Sequence, residues 1–121
     1  MSTMCLLQQR HYERFKIKEG ALALLDCAIP FHIVDISISG LAFRYVGIEK
    51  WFDDPVEIDI VYDDFCLKNL MVQTVSDQKI SNGFMKTRRH SVSFCKLSSI
   101  QIKQLEEFIQ QYGEQGQVRL N

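Results

Sequence analysis

Val56-Glu57-Ile58-Asp59-Ile60-Val61-Tyr62, then Asp63-Asp64, then Phe65 onward, is the stretch that settles the class of fold. Val56, Ile58, Ile60 and Tyr62 alternate with Glu57, Asp59 and Val61. Successive side chains of an extended chain point to opposite faces, so this period of two predicts a strand. Asp63-Asp64 suits a tight turn, and Phe65–Val75 returns as the partner strand of a hairpin.

Working outward, the same texture recurs. Ala21–Leu25 is small and apolar, and Cys27–Pro30 interrupts it. Phe31–Ile36 is rich in branched and aromatic residues, and Leu41–Tyr45 follows directly on Gly40. Ser81-Asn82-Gly83, within Lys79–Phe84, reads as a turn. Arg88–Phe94 ends the series, with Val92 and Phe94 on one face and Ser91 and Ser93 on the other. Beyond it the period changes. Ser98 followed by Gln101 has the spacing of a capping box. Ile102, Leu105, Phe108, Ile109 and Tyr112 then recur at helical intervals, and Gly113 stands where a helix would stop. About six short strands and one helix predict a mostly β fold: a six-stranded antiparallel β-barrel with a C-terminal α-helix. The expected organisation is one domain over 1–121, with an N-terminal arm (1–18), the barrel (19–97) and the helix (98–113).

Bulk properties narrow the function. The chain has 121 residues, a length for one core, with 46% hydrophobic and 24% charged residues. A formal net charge of −1 argues against a general nucleic-acid binder, while leaving room for a small anion held by a local arginine cluster. No apolar run reaches the roughly 20 residues of a membrane span, so no membrane insertion is expected. Met1–Leu7 lacks the features of a secretory signal. Cys5, Cys27, Cys66 and Cys95 are scattered without zinc spacing, and are expected to be reduced and mostly buried. The expected location is the cytoplasm.

Two short motifs carry chemistry. Arg10-His11-Tyr12-Glu13-Arg14 separates two arginines by three residues. Asp35-Ile36-Ser37-Ile38-Ser39-Gly40 sets an acid, a serine and a glycine at D-x-S-x-x-G. Some twenty residues lie between Arg14 and Asp35. Singly, the first reads as solvated charge and the second as a strand-to-turn sequence whose Asp and Ser bond local backbone.

Together and in this order they resemble the PilZ family, whose pattern is RxxxR followed by (D/N)xSxxG. The resemblance spans about Arg10 to Tyr112. It implies a split barrel with a C-terminal helix and a bacterial receptor for cyclic di-GMP that signals to a protein effector. It also implies a ligand site at Arg10, Arg14, Asp35, Ser37 and Gly40, with Ser39 at a variable position inside the motif. No other cofactor is implied, and monomer and homodimer both remain open. Ser91 departs from the glycine frequent in the late family strand, a difference expected to concern barrel packing. Gln9, uncharged just before RxxxR, favours one bound ligand over an intercalated pair. The segment carrying Arg10 and Arg14 is expected to order over the ligand and so change the surface offered to a partner.

These residue types suit a cyclic dinucleotide of guanine. An arginine fork pairs bidentately with phosphate oxygens or with guanine O6 and N7, and its plane stacks on a base. Arg10 and Arg14 would share one side of a helical turn, or face one ligand from a loosely wrapped segment. A carboxylate accepts from the N1–H and N2–H₂ edge of guanine. In a strand, Asp35 and Ser37 would point the same way. Gly40 suits a positive φ or a close approach of backbone to ligand.

Other candidates are weaker. His11, His32 and His90 are dispersed and read as surface or half-buried residues. Asp53, Asp54, Asp63 and Asp64 read as loop charges. Arg88-Arg89 is either an auxiliary anion contact or a solvated flank of the last strand. Nothing points to an enzyme. The alternative function is a PilZ-like adaptor that works through protein contacts without nucleotide. A barrel for single-stranded nucleic acid lacks the basic groove it would need.

Overall fold

The computed structural model describes residues 13–25, 29–46, 51, 53–80 and 86–114. Among them run β1 (Phe15–Ile17), β2 (Leu22–Leu25), β3 (Ile29–Ile36), β4 (Gly40–Val46), β5 (Val56–Tyr62), β6 (Phe65–Lys79), β7 (Thr87–Phe94), α1 (Ser99–Tyr112) and β8 (Gly113–Glu114). The strands are antiparallel in the order β2-β5-β6-β7-β4-β3-β1-β8, and β2 also pairs with β3. That extra pairing closes a six-stranded barrel. β3 allows it by dividing one edge: Ile29–His32 pair with β2, and Asp35 and Ile36 pair with β1.

The period of two in β5 does what alternation requires. Ile58 and Ile60 point inward and are buried, opposite Leu70 and Leu67 of β6. Asp63, with φ 55°, turns the hairpin in the left-handed region that Asp tolerates. β6 is longer than the sequence suggested and contains two register breaks. The first sets Asp59 of β5 against two residues of β6. Asn69 takes a φ of 60° there, and its N–H donates to Asp59 Oδ1 at 2.9 Å. The second lies between Thr74 and Ser76, leaving Val75 outside the ladder with β7.

Helix α1 closes one end of the barrel. Its capping box forms as expected: Gln101 N–H donates to Ser98 Oγ at 3.1 Å, and Ser98 N–H to Gln101 Oε1 at 3.0 Å. Gln101 Nε2 also donates to the Asn69 carbonyl at 3.0 Å, which fastens the helix start to the first break in β6. Leu105 and Phe108 are fully buried, Phe108 packs on Phe65, and Tyr112 meets Tyr62 edge to face. Ile102, read as part of the buried stripe, is exposed.

Three sequence expectations need correction. Phe15–Ile17, read as part of an arm, is a strand of the sheet, held by β3 on one side and β8 on the other. Cys66 is exposed and Cys95 half-buried, both free thiols, so neither is a core residue. His90 is completely buried. The expected turn at Ser81–Gly83, together with Cys5, Cys27 and His11, lies outside the described residues. Among the described residues no helix is long and apolar enough to cross a membrane.

Candidate functional site: an acid between two arginines

Asp35 sits at the end of β3, opposite Lys16 of β1 and Ala42 of β4. Two arginines from distant parts of the chain meet its carboxylate. Arg14 Nε donates to Oδ1 at 2.8 Å, and Arg89 Nη2 to Oδ2 at 2.7 Å. The Asp35 side chain keeps 15% of its exposure, and both guanidiniums remain more open. Each arginine commits one nitrogen to Asp35, out of five N–H donors on the group. The strand that follows Arg14 fixes its position, because β1 pairs directly alongside Asp35. Arg10 and Gln9 lie outside the described residues.

The segment after Asp35 is a shaped turn. Ser37 is fully buried, its Oγ accepts the Ser39 N–H at 3.1 Å, and it lies 2.9 Å from Ser39 Oγ. Its backbone N–H donates to the Gly40 carbonyl at 2.8 Å. Ser37 therefore organises the turn from within, and because β3 ends at Ile36 the extended spacing that would set it beside Asp35 toward a ligand does not apply. Gly40 needs its missing side chain for a close approach, and that approach is to β7. A Cβ there would stand 2.1 Å from the Val92 carbonyl oxygen. The Ser39 carbonyl accepts the Phe94 N–H at 2.9 Å, so turn and strand are stitched together.

Arg14 and Arg89 line an open depression of about 350 Å³ together with Ser39, Gly40, Val75, Ser91 and Ser93, while Asp35 and Ser37 are not among its lining residues. Ser91 faces this depression, so its departure from the family glycine falls at the site. Strand parity explains the set: Arg89, Ser91 and Ser93 share the outer face of β7, opposite buried His90 and Val92. The parity of Val92 and Phe94 against the two serines, extended back along the strand, was the signal that separates Arg89 from Arg88. Val75 is 63% exposed beside them because the break in β6 turns it out.

Arg88 belongs to a second cluster on the inner face. It pairs with Asp77, whose Oδ2 also accepts from Tyr45 Oη at 2.6 Å and lies 2.8 Å from His90 Nδ1. Trp51 Nε1 donates to Tyr45 Oη at 3.1 Å, and Thr74 Oγ1 lies 3.1 Å from His90 Nε2. Burial alone would raise the Asp77 pKa, but hydrogen bonds from Tyr45, Arg88 and His90 outweigh it and hold the carboxyl below its ordinary value. Burial lowers the His90 pKa despite the nearby carboxylate. Burial, then the bond to Asp77, raises that of Tyr45. With His90 neutral, Nδ1–H donates to Asp77 and Nε2 accepts from Thr74.

Comparison with solved structures identifies the fold as that of the PilZ domain. The PilZ domain of YcgR from Escherichia coli, solved with c-di-GMP, superposes with a TM-score of 0.65 at 18% identity, covering 87% of this chain and 92% of that one. YcgR from the same organism in complex with c-di-GMP gives a TM-score of 0.64, also at 18% identity, over 85% of this chain. This chain spans 45% of that longer protein. No family model matches the sequence, and no curated protein matches it.

Proposed function

We propose that this chain is a cyclic di-GMP receptor that reads the messenger at the depression lined by Arg14 and Arg89, beside Asp35. The observation that carries the proposal is that Arg14 and Arg89, which converge on one carboxylate, both line an open, partly apolar concavity. Two guanidiniums on a single acid leave a local excess of positive charge, and a ligand of charge about −2 answers it through bidentate phosphate contacts. Asp35 then serves twice. It orients the two forks, and it accepts from the N1–H and N2–H₂ edge of a guanine. Ser39, Ser91 and Ser93 supply hydroxyls at the rim, and Val75 supplies an apolar surface for a purine face. Ser37 and Gly40 act by shaping the turn. Arg10 completes the arginine pair from the segment preceding β1. The likeness to two solved PilZ structures containing c-di-GMP supports the assignment. The output runs through a protein effector that distinguishes bound from free surface, in the cytoplasm of a bacterium, and no covalent step is involved.

Calorimetry with cyclic di-GMP, cyclic di-AMP and GTP tests the reading. Saturable heat with cyclic di-GMP alone is expected. Its absence would favour the adaptor that acts without nucleotide.

A further inference from the structure

We infer that the barrel lumen is a second binding site, one that takes a small, neutral, bicyclic aromatic molecule. The lumen holds a cavity of about 230 Å³ at the end away from α1, walled by inward-facing Phe31, Phe43, Ile58, Val72 and Val92, with Trp51 beside them. Protein interiors are packed to the density of organic crystals, and a void of this size in so small a core forgoes contacts that a filled lumen would make. An apolar cavity of about 150 Å³ admits benzene, so this one has room for a second fused ring.

Inside the mouth, the described lining residues offer no free polar group to a charged guest. Both nitrogens of His90 are engaged, by Asp77 and Thr74, and the Trp51 N–H is engaged by Tyr45. Among the described residues no buried side-chain nitrogen or oxygen lacks a partner. Asp54, exposed at the rim, disfavours an anion and hence a fatty-acid carboxylate. Rings dominate one wall. Trp51 stacks on His90 with centroids 4.0 Å apart and stands 5.6 Å from both Phe31 and Phe43, which themselves stack at 4.7 Å. Faces and edges in that arrangement favour an aromatic guest over an aliphatic one.

Topology gives the way in. The β5–β6 ladder ends at Val56 opposite Val72, while β6 runs on to Lys79 alongside β7. Past that end Gln73 Nε2 donates to the Asp53 carbonyl at 3.3 Å, and exposed Thr74 and Asp54 line the mouth beside it. The lumen and the depression lined by Arg14 and Arg89 lie on opposite faces of β7 and share only Val92 in their linings.

The test uses indole as probe, with octanoate for comparison, read by methyl chemical shifts and thermal shift on the full chain. Indole should shift the Ile58 and Val72 methyls saturably and raise the melting temperature, and octanoate should do neither. Ala23→Leu, which fills the lumen from β2, should abolish the indole shifts. Val56→Phe at the mouth replaces it if circular dichroism shows that A23L does not fold. Absence of shifts in the wild type, their persistence in the filled variant, or equal effects from octanoate would each overturn the proposal.

Discussion

Arg89 reaches Asp35 across 54 positions of sequence, Nη2 to Oδ2 at 2.7 Å, and so joins β7 to the end of β3. Arg14 holds the other oxygen of the same carboxylate. The pairs are partly solvated and contribute roughly 0–1 kcal/mol each to stability. In the proposed function they aim two forks at the depression that both arginines line. Arg14→Ala and Arg89→Ala should therefore leave the melting temperature within a few degrees of wild type. Each should weaken cyclic di-GMP binding by about 1–3 kcal/mol in calorimetry. A loss of affinity matched by loss of the fold would contradict this division of roles.

Val75 lies outside the β6–β7 ladder at the edge of the site. Val75→Ala should weaken binding by about 1 kcal/mol through lost apolar contact. Val75→Asp should weaken it further, because the new carboxylate faces a dianion. Neither change should alter far-ultraviolet circular dichroism. Unchanged affinity in V75D would remove Val75 from the site.

Gly40→Ala sets a methyl against the Val92 carbonyl, a backbone atom that cannot rotate away. The strand must shift, at a cost of about 1–3 kcal/mol or more. Chemical denaturation should show the loss directly. Phe108→Ala, at the fully buried centre of α1, should cost about 3–5 kcal/mol in the same assay.

Acid should destabilise the barrel in two stages. His90 has its folded pKa lowered by burial, so the unfolded chain binds the proton first as pH falls below about 6.5. Stability declines from there down to the folded His90 value. Asp77 has its folded pKa lowered by its hydrogen bonds, so its contribution is present above about pH 4 and lost as pH falls through the folded value. Denaturation midpoints measured from pH 8 to pH 3 should fall in that order. In His90→Asn the decline that begins near pH 6.5 should be reduced.

Much of this architecture was legible in the sequence, and the parts that were not share a cause. β5 and the capped helix rest on local periodicity and on Ser98 and Gln101, three residues apart, so sequence alone reveals them. β1 is three residues long and is held by backbone pairing with Asp35 and Ile36 on one side and Gly113 and Glu114 on the other, partners that nothing local announces. Arg14 and Asp35 stood out through their motifs. Arg89 stands out only as half of Arg88-Arg89, because choosing between the two needs the parity of β7, and Val75 does not stand out because it depends on a break in β6. Extended spacing pairs Ser37 with Asp35 on one face, yet the strand ends at Ile36 and the Ser37 hydroxyl is spent inside the turn. A residue's membership of a motif does not say which way it points. The register of its neighbours does.

Titration calorimetry of the wild-type chain with cyclic di-GMP, beside Arg14→Ala and Arg89→Ala, tests the central claim most directly. The account predicts saturable binding to the wild type, none to cyclic di-AMP, and clear weakening in both variants while the fold is retained. Absence of binding by the wild type, or affinity indifferent to both arginines, would contradict it.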